Sequence, residues 1–141
     1  MDEWLGYKTT GWLNWCISAE YRPDRYYKGI SYTLHKKAKV YTVNSYRDYM
    51  NLLSKYKRID RVFDKVGIDF DKLKLDYDAF HLTEEGFYEL RLLFNEYRTE
   101  EGKTYYIDNF YSYDCETWII FNLDCINKGS IQNICLKYKE E

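Results

Sequence analysis

The sequence predicts an α+β fold, one domain over residues 1–141 with a mixed or mainly antiparallel sheet and three to four helices. Strand patterns stand at both ends of the chain and helical stripes fill its middle. No regular βαβα alternation links them, so a doubly wound sheet is not expected. A chain of 141 residues is long enough to bury a single core without staples.

Thr9 and Thr10 can cap a short helix in which Trp12, Trp15, Cys16 and Ala19 fall at i, i+3, i+4 and i+7, and Pro23 ends it. Ile30, Tyr32 and Leu34 alternate with Ser31 and Thr33, the pattern of a half-buried strand. The basic turn His35-Lys36-Lys37-Ala38-Lys39 leads into Val40-Tyr41-Thr42-Val43, β-branched and aromatic, and the two strands are expected to form a hairpin. Ser45 caps the next helix with Asp48 at its third position, a variant of the capping box. Tyr46, Tyr49, Met50 and Leu53 are its expected buried stripe, with Tyr56 near its end.

A further short helix starts around Asp69 and carries Phe70, Leu73 and Tyr77. Ala79-Phe80-His81-Leu82 reads as a short strand. Thr83 before Glu84 and Glu85 marks a helix start, because acids there complement the helix dipole. Gly86 weakens that helix, yet Leu90, Leu93, Phe94 and Tyr97 extend its stripe. Residues 105–113 read as an aromatic loop over the sheet. Strands at Glu116–Asn122 and Ser130–Tyr138, with a turn around Asn127-Lys128-Gly129, close the chain.

Composition excludes some functions. A net charge of −2 argues against a long nucleic-acid duplex as partner, since phosphate neutralisation needs a concentrated basic field. No apolar run reaches the roughly 20 residues that span a bilayer, so no membrane partner is expected. The four cysteines, Cys16, Cys115, Cys125 and Cys135, form no C-x-x-C, and neither His35 nor His81 sits at metal-ligand spacing from them. No metal is expected. The start Met1-Asp2-Glu3-Trp4 lacks a basic n-region and an apolar h-region, which points to a cytoplasmic protein with reduced thiols.

Three constellations offer chemistry. Asp114 and Glu116 lie two apart at the mouth of a strand, so both face one side, where paired acids can bind a ribose or move a proton. The plain alternative is the polar rim of a strand. Tyr7-Lys8-Thr9-Thr10 with Trp12 and Trp15 suits a phosphate and a base at a helix start, or is simply a capped amphipathic helix. Arg22, Arg25, Tyr26, Tyr27 and Lys28, followed by the His35–Lys39 turn, can stack bases and neutralise phosphates, anchor a protein partner, or form a loop and a charged sheet edge. The modest net charge favours the protein partner over nucleic acid. The 17 tyrosines suit a binding surface, because each carries a large ring with a hydroxyl.

Gly11-Trp12-Leu13-Asn14-Trp15-Cys16, Asp76-Tyr77-Asp78-Ala79-Phe80-His81-Leu82 and Asp114-Cys115-Glu116 leading to Phe121-Asn122 follow in that order. In this the chain resembles small proteins of phages and mobile elements with an ADP-ribosyltransferase-like fold. The resemblance implies NAD as cofactor, Glu116 and Asp114 as the late acids, and Thr42 on the central strand as the hydroxyl. It implies cofactor contacts from Lys8, Thr9 and Tyr41. The chain departs from that pattern in lacking the early Arg or His and the Ser-Thr-Ser strand, and in carrying Asp for one Glu.

Two functions follow as expectations. One is a phage- or mobile-element-encoded accessory protein that binds a host protein, an anti-CRISPR-like inhibitor of a defence nuclease or nucleoprotein complex, acting without a cofactor through Arg22, Arg25, Tyr26, Tyr27 and Lys28. The other is an ADP-ribosyltransferase-like enzyme. The incomplete catalytic set favours the first.

Overall fold

The structure, a computed structural model, describes residues 3–4, 7–8, 26–92, 96–110, 113 and 115–137, with the side chains of 28–92, 96–110, 113 and 115–134. The helix expected between Thr9 and Pro23 lies outside the described residues.

The three described helices start where their caps put them. Helix α1 (Tyr46–Tyr56) follows Ser45, whose hydroxyl accepts the Asp48 N–H at 3.2 Å. The Asp48 carboxylate reaches past the cap and accepts the Asn44 N–H at 3.0 Å. Its buried residues are Tyr49, Leu52 and Leu53, with Tyr46 and Met50 at the margin. Helix α2 (Phe70–Asp76) is capped by Asp69 and buries Leu73. Helix α3 (Glu84–Arg91) is capped by Thr83, whose hydroxyl accepts the Gly86 N–H at 3.0 Å.

The eleven described strands are β1 (Glu3–Trp4), β2 (Tyr7–Lys8), β3 (Tyr26–Leu34), β4 (Val40–Val43), β5 (Lys57–Asp60), β6 (Lys65–Ile68), β7 (Ala79–Leu82), β8 (Glu96–Arg98), β9 (Thr104–Ile107), β10 (Thr117–Ile120) and β11 (Ile126–Lys137). They form four sheets rather than one: β1-β2, β10-β7-β4, β11-β3 and β5-β6-β9-β8. The α+β class holds, with parallel pairs at β4/β7 and β6/β9 and antiparallel pairs elsewhere.

The expected β3–β4 hairpin does not form. The turn exists, with the Ala38 N–H bonded to the His35 carbonyl, but the strands part after it. The Lys39 carbonyl accepts from the Asp78 and Ala79 N–H groups, and the Asp78 carboxylate accepts the Lys39 N–H at 2.8 Å. These bonds commit β4 to β7, leaving β3 to pair with β11. Residues 105–107, expected in a loop, form most of β9 instead. Tyr105 points into the core and Tyr106 out of it, so the run alternates as a strand should. Tyr97, expected to extend α3, is held in β8 by pairing with Tyr105. The expected turn at residues 127–129 is an irregularity inside the long strand β11, where the register shifts between Asn127 and Gln132.

Gly86 does more than weaken a helix. A Cβ built there would stand 2.3 Å from the Val43 carbonyl oxygen, so only glycine lets α3 lie against the end of β4. That carbonyl accepts the Thr83 N–H at 3.1 Å. The core gathers around this junction: Val43, Tyr49, Leu52, Leu73, Phe80, Leu82, Phe87 and Leu90 are buried together. Phe80 meets Phe70 edge-on at 5.5 Å and packs on Phe110 at 6.1 Å. Burying a ring of this kind is worth roughly 1.5–3 kcal/mol.

Candidate functional site

The register of the three-stranded sheet sets Thr42, His81 and Trp118 in one row, each opposite the next across β4, β7 and β10. Their neighbours Tyr41, Phe80 and Ile119 belong to the other face and pack on the core. The row is therefore the outward face of this sheet. His81 stacks on the Trp118 indole at 3.8 Å with 13° between the rings. Glu116 lies two residues before Trp118 and comes to the same side, where its Oε2 stands 3.2 Å from His81 Nε2. An imidazole N–H donating to a carboxylate fixes the ring and can hold or pass a proton.

The structure brings together two of the expected catalytic residues, Glu116 and Thr42, on either side of His81. Asp114 lies outside the described residues. Tyr41, an expected cofactor contact, belongs to the opposite face. Its hydroxyl donates to the Asp48 carbonyl at 3.0 Å, and its ring meets Tyr77 edge-on. Burial pushes its phenol up from the ordinary value, with Tyr77 and Asp48 adding to the shift. Lys8 belongs to β2 by its backbone, while Thr9, Arg22 and Arg25 lie outside the described residues.

Tyr26, Tyr27 and Lys28 open β3 and stand opposite Lys137, Leu136 and Cys135 of β11. On this two-stranded ribbon Leu34 is half-buried as expected, but Ile30 and Tyr32 face water. Ile30 is 61% exposed and Tyr32 44%, and Lys28 on the same face is exposed too. On the opposite face Ile134 lies beside Gly29, 3.4 Å from where a Cβ would be. Ile131, in the irregular part of β11, is also exposed.

Two clefts lie elsewhere. One, about 550 Å³, runs from the His35–Ala38 turn to Asp78, Asn122, Asp124 and Cys125. Asp78 is held below the usual carboxylate range, first by the Lys39 N–H and then by the Asn122 amide, which donates to it at 3.1 Å. Burial raises the Cys125 thiol from its ordinary value, with Asp78 and Asp124 adding to the shift. The other cleft, about 530 Å³, lies against β5 and β6. Among the described residues no cluster of three His, Cys, Asp or Glu side chains gathers to hold a metal. No described helix is long and apolar enough to cross a membrane.

Sequence reasoning missed the His81–Glu116 pair and the Val62-Phe63 tip of the β5–β6 hairpin. The pair joins residues 35 apart and leaves no local motif. The tip did carry a signal: two apolar residues set alone between Asp60-Arg61 and Asp64-Lys65. Comparison of the chain with protein families, curated proteins and solved structures gave no match.

Proposed function

We propose that the chain is a small protein-binding module that acts by occupying a host protein, in the manner of an anti-CRISPR-like inhibitor from a phage or mobile element. The observation that carries this is the outward face of the β3–β11 ribbon. Ile30 and Tyr32 stand in water beside Lys28, although nothing in the alternation of β3 required its apolar side to be the exposed one. Exposed apolar and aromatic residues beside a cation are the composition of a hot spot. The candidate partner residues Tyr26, Tyr27 and Lys28 belong to the same strand.

The test is capture from lysate of the host that carries the gene. A variant with Lys28→Glu, Ile30→Ser and Tyr32→Ser should lose a partner that wild type retains, while Glu116→Ala keeps it. The opposite pattern defeats the proposal.

A second reading, ADP-ribosyl transfer from NAD, draws on the row in which Thr42 and Glu116 flank His81. Among the described residues this row fits a dinucleotide poorly. Glu116 is already engaged by His81, Tyr41 belongs to the other face, and the two clefts described above lie elsewhere. Release of nicotinamide from NAD that disappears in Glu116→Ala would favour this second reading over the first.

A further inference from the structure

The turn between β5 and β6 holds two apolar side chains out in water: Val62 is 83% exposed and Phe63 69%. It is a fixed turn. The Asp60 carboxylate accepts the N–H groups of Val62 at 2.9 Å and Phe63 at 3.2 Å. Asp64 adopts φ 51, a left-handed conformation that few residues other than glycine, asparagine and aspartate take readily. Lys103 Nζ lies 3.2 Å from the Asp64 carboxylate, and the Tyr106 N–H donates to the Asp64 carbonyl at 2.8 Å.

The carboxylates of this region are thus engaged: Asp64 by Lys103, Asp60 by the turn backbone, and Asp108 by the Phe110 N–H at 3.0 Å. Of the cations beside them, Arg58 is drawn to Asp71, while Arg61 and Lys65 are not so engaged among the described residues. Arg58, Arg61 and Lys65 line the 530 Å³ cavity at the base of the hairpin, with Asp60, Gly67 and Asp108. Among the described residues no salt bridge engages Arg61 or Lys65.

We propose that this hairpin is a docking element for a protein partner that offers an apolar pocket to Val62 and Phe63 and a carboxylate to the cavity of Arg58, Arg61 and Lys65. Charge complementarity selects the partner: the cations left over attract acids and repel basic surfaces. A turn already locked in one shape loses little conformational freedom on binding, so the apolar contacts are realised as affinity. A protein pocket suits the tip better than an anionic bilayer. In a bilayer a single Val-Phe pair gives only a shallow anchor. This surface belongs to the four-stranded sheet, not to the β3–β11 ribbon, and stands or falls independently of it.

The experiment places a photo-crosslinking benzoylphenylalanine at position 63 of the full chain, in cells that carry its gene. A matched control places it at Leu75 on α2, which is 79% exposed against 69% for Phe63. The expected result is a discrete protein adduct at position 63 alone. Its yield should fall at least tenfold in Arg58→Glu/Arg61→Glu/Lys65→Glu, and its crosslinked peptide should map to an apolar pocket bordered by Asp or Glu. Four results would overturn the proposal: no adduct above the Leu75 control, an adduct indifferent to charge reversal, crosslinking only to lipid, or crosslinking only to a second copy of the chain. An unchanged melting curve for the charge-reversed variant excludes unfolding as the cause.

Discussion

Val43 and Val62 are the same side chain in two places, one 0% exposed and the other 83%. Val43 ends a strand that is paired to β7 and crossed by α3, and its carbonyl takes the Thr83 N–H. Val62 sits on a turn whose hydrogen bonds use its backbone N–H and not its side chain. The first region spends its apolar surface on the fold, while the second holds it in reserve. Stability should therefore depend steeply on one and hardly at all on the other.

The sharpest break of that contrast is at the junction. Phe80→Ala should cost about 3–5 kcal/mol, measured by chemical denaturation, because the ring is fully buried between Phe70 and Phe110. Gly86→Ala should cost about 3 kcal/mol, the upper end for overpacking, since the Val43 backbone must move to admit a methyl group. A loss under about 1 kcal/mol would mean that α3 does not lie against β4 as described.

Asp78→Asn should lower the melting temperature by a smaller amount, with a pH signature. The carboxyl is held below its ordinary value of 3.8, foremost by the Lys39 N–H. A depressed folded value stabilises above the unfolded one and is lost as pH falls through the folded value. The gap between wild type and variant should therefore be full at neutral pH and close below about pH 4. A gap independent of pH would show that the carboxylate charge is not what pins β4 to β7.

At the other extreme, Val62→Ser with Phe63→Ser should change stability by less than about 0.5 kcal/mol, as surface substitutions do. A large loss in the melt would erase the distinction between the two valines.

How much of this was legible follows from the range of each interaction. Ser45, Asp69 and Thr83 announced their helices because a cap bonds an N–H within three residues of itself. The strand at Ala79–Leu82 was readable from its residue types, but its position between β4 and β10 was not. The Tyr105–Ile107 strand was hidden because a run of tyrosines shows no polar alternation to the eye. At the candidate site, Glu116 and Thr42 were singled out, while His81, which joins them, was read as a partly buried histidine. It is one, with its ring between an indole and a carboxylate.

The amino-acid sequence by itself determined the α+β class, the starts of the described helices and five of the eleven described strands, since these follow from short-range hydrogen bonds and side-chain periodicity. Tertiary structure decided which strands pair, why position 86 must be glycine, and which face of β3 meets water. Those outcomes are competitions between segments far apart in the chain: β4 went to β7 because Asp78 and Lys39 bind each other, and β3 was left to β11. A local pattern can offer an apolar face, but only the element packed against it, or its absence, decides whether that face is core or surface.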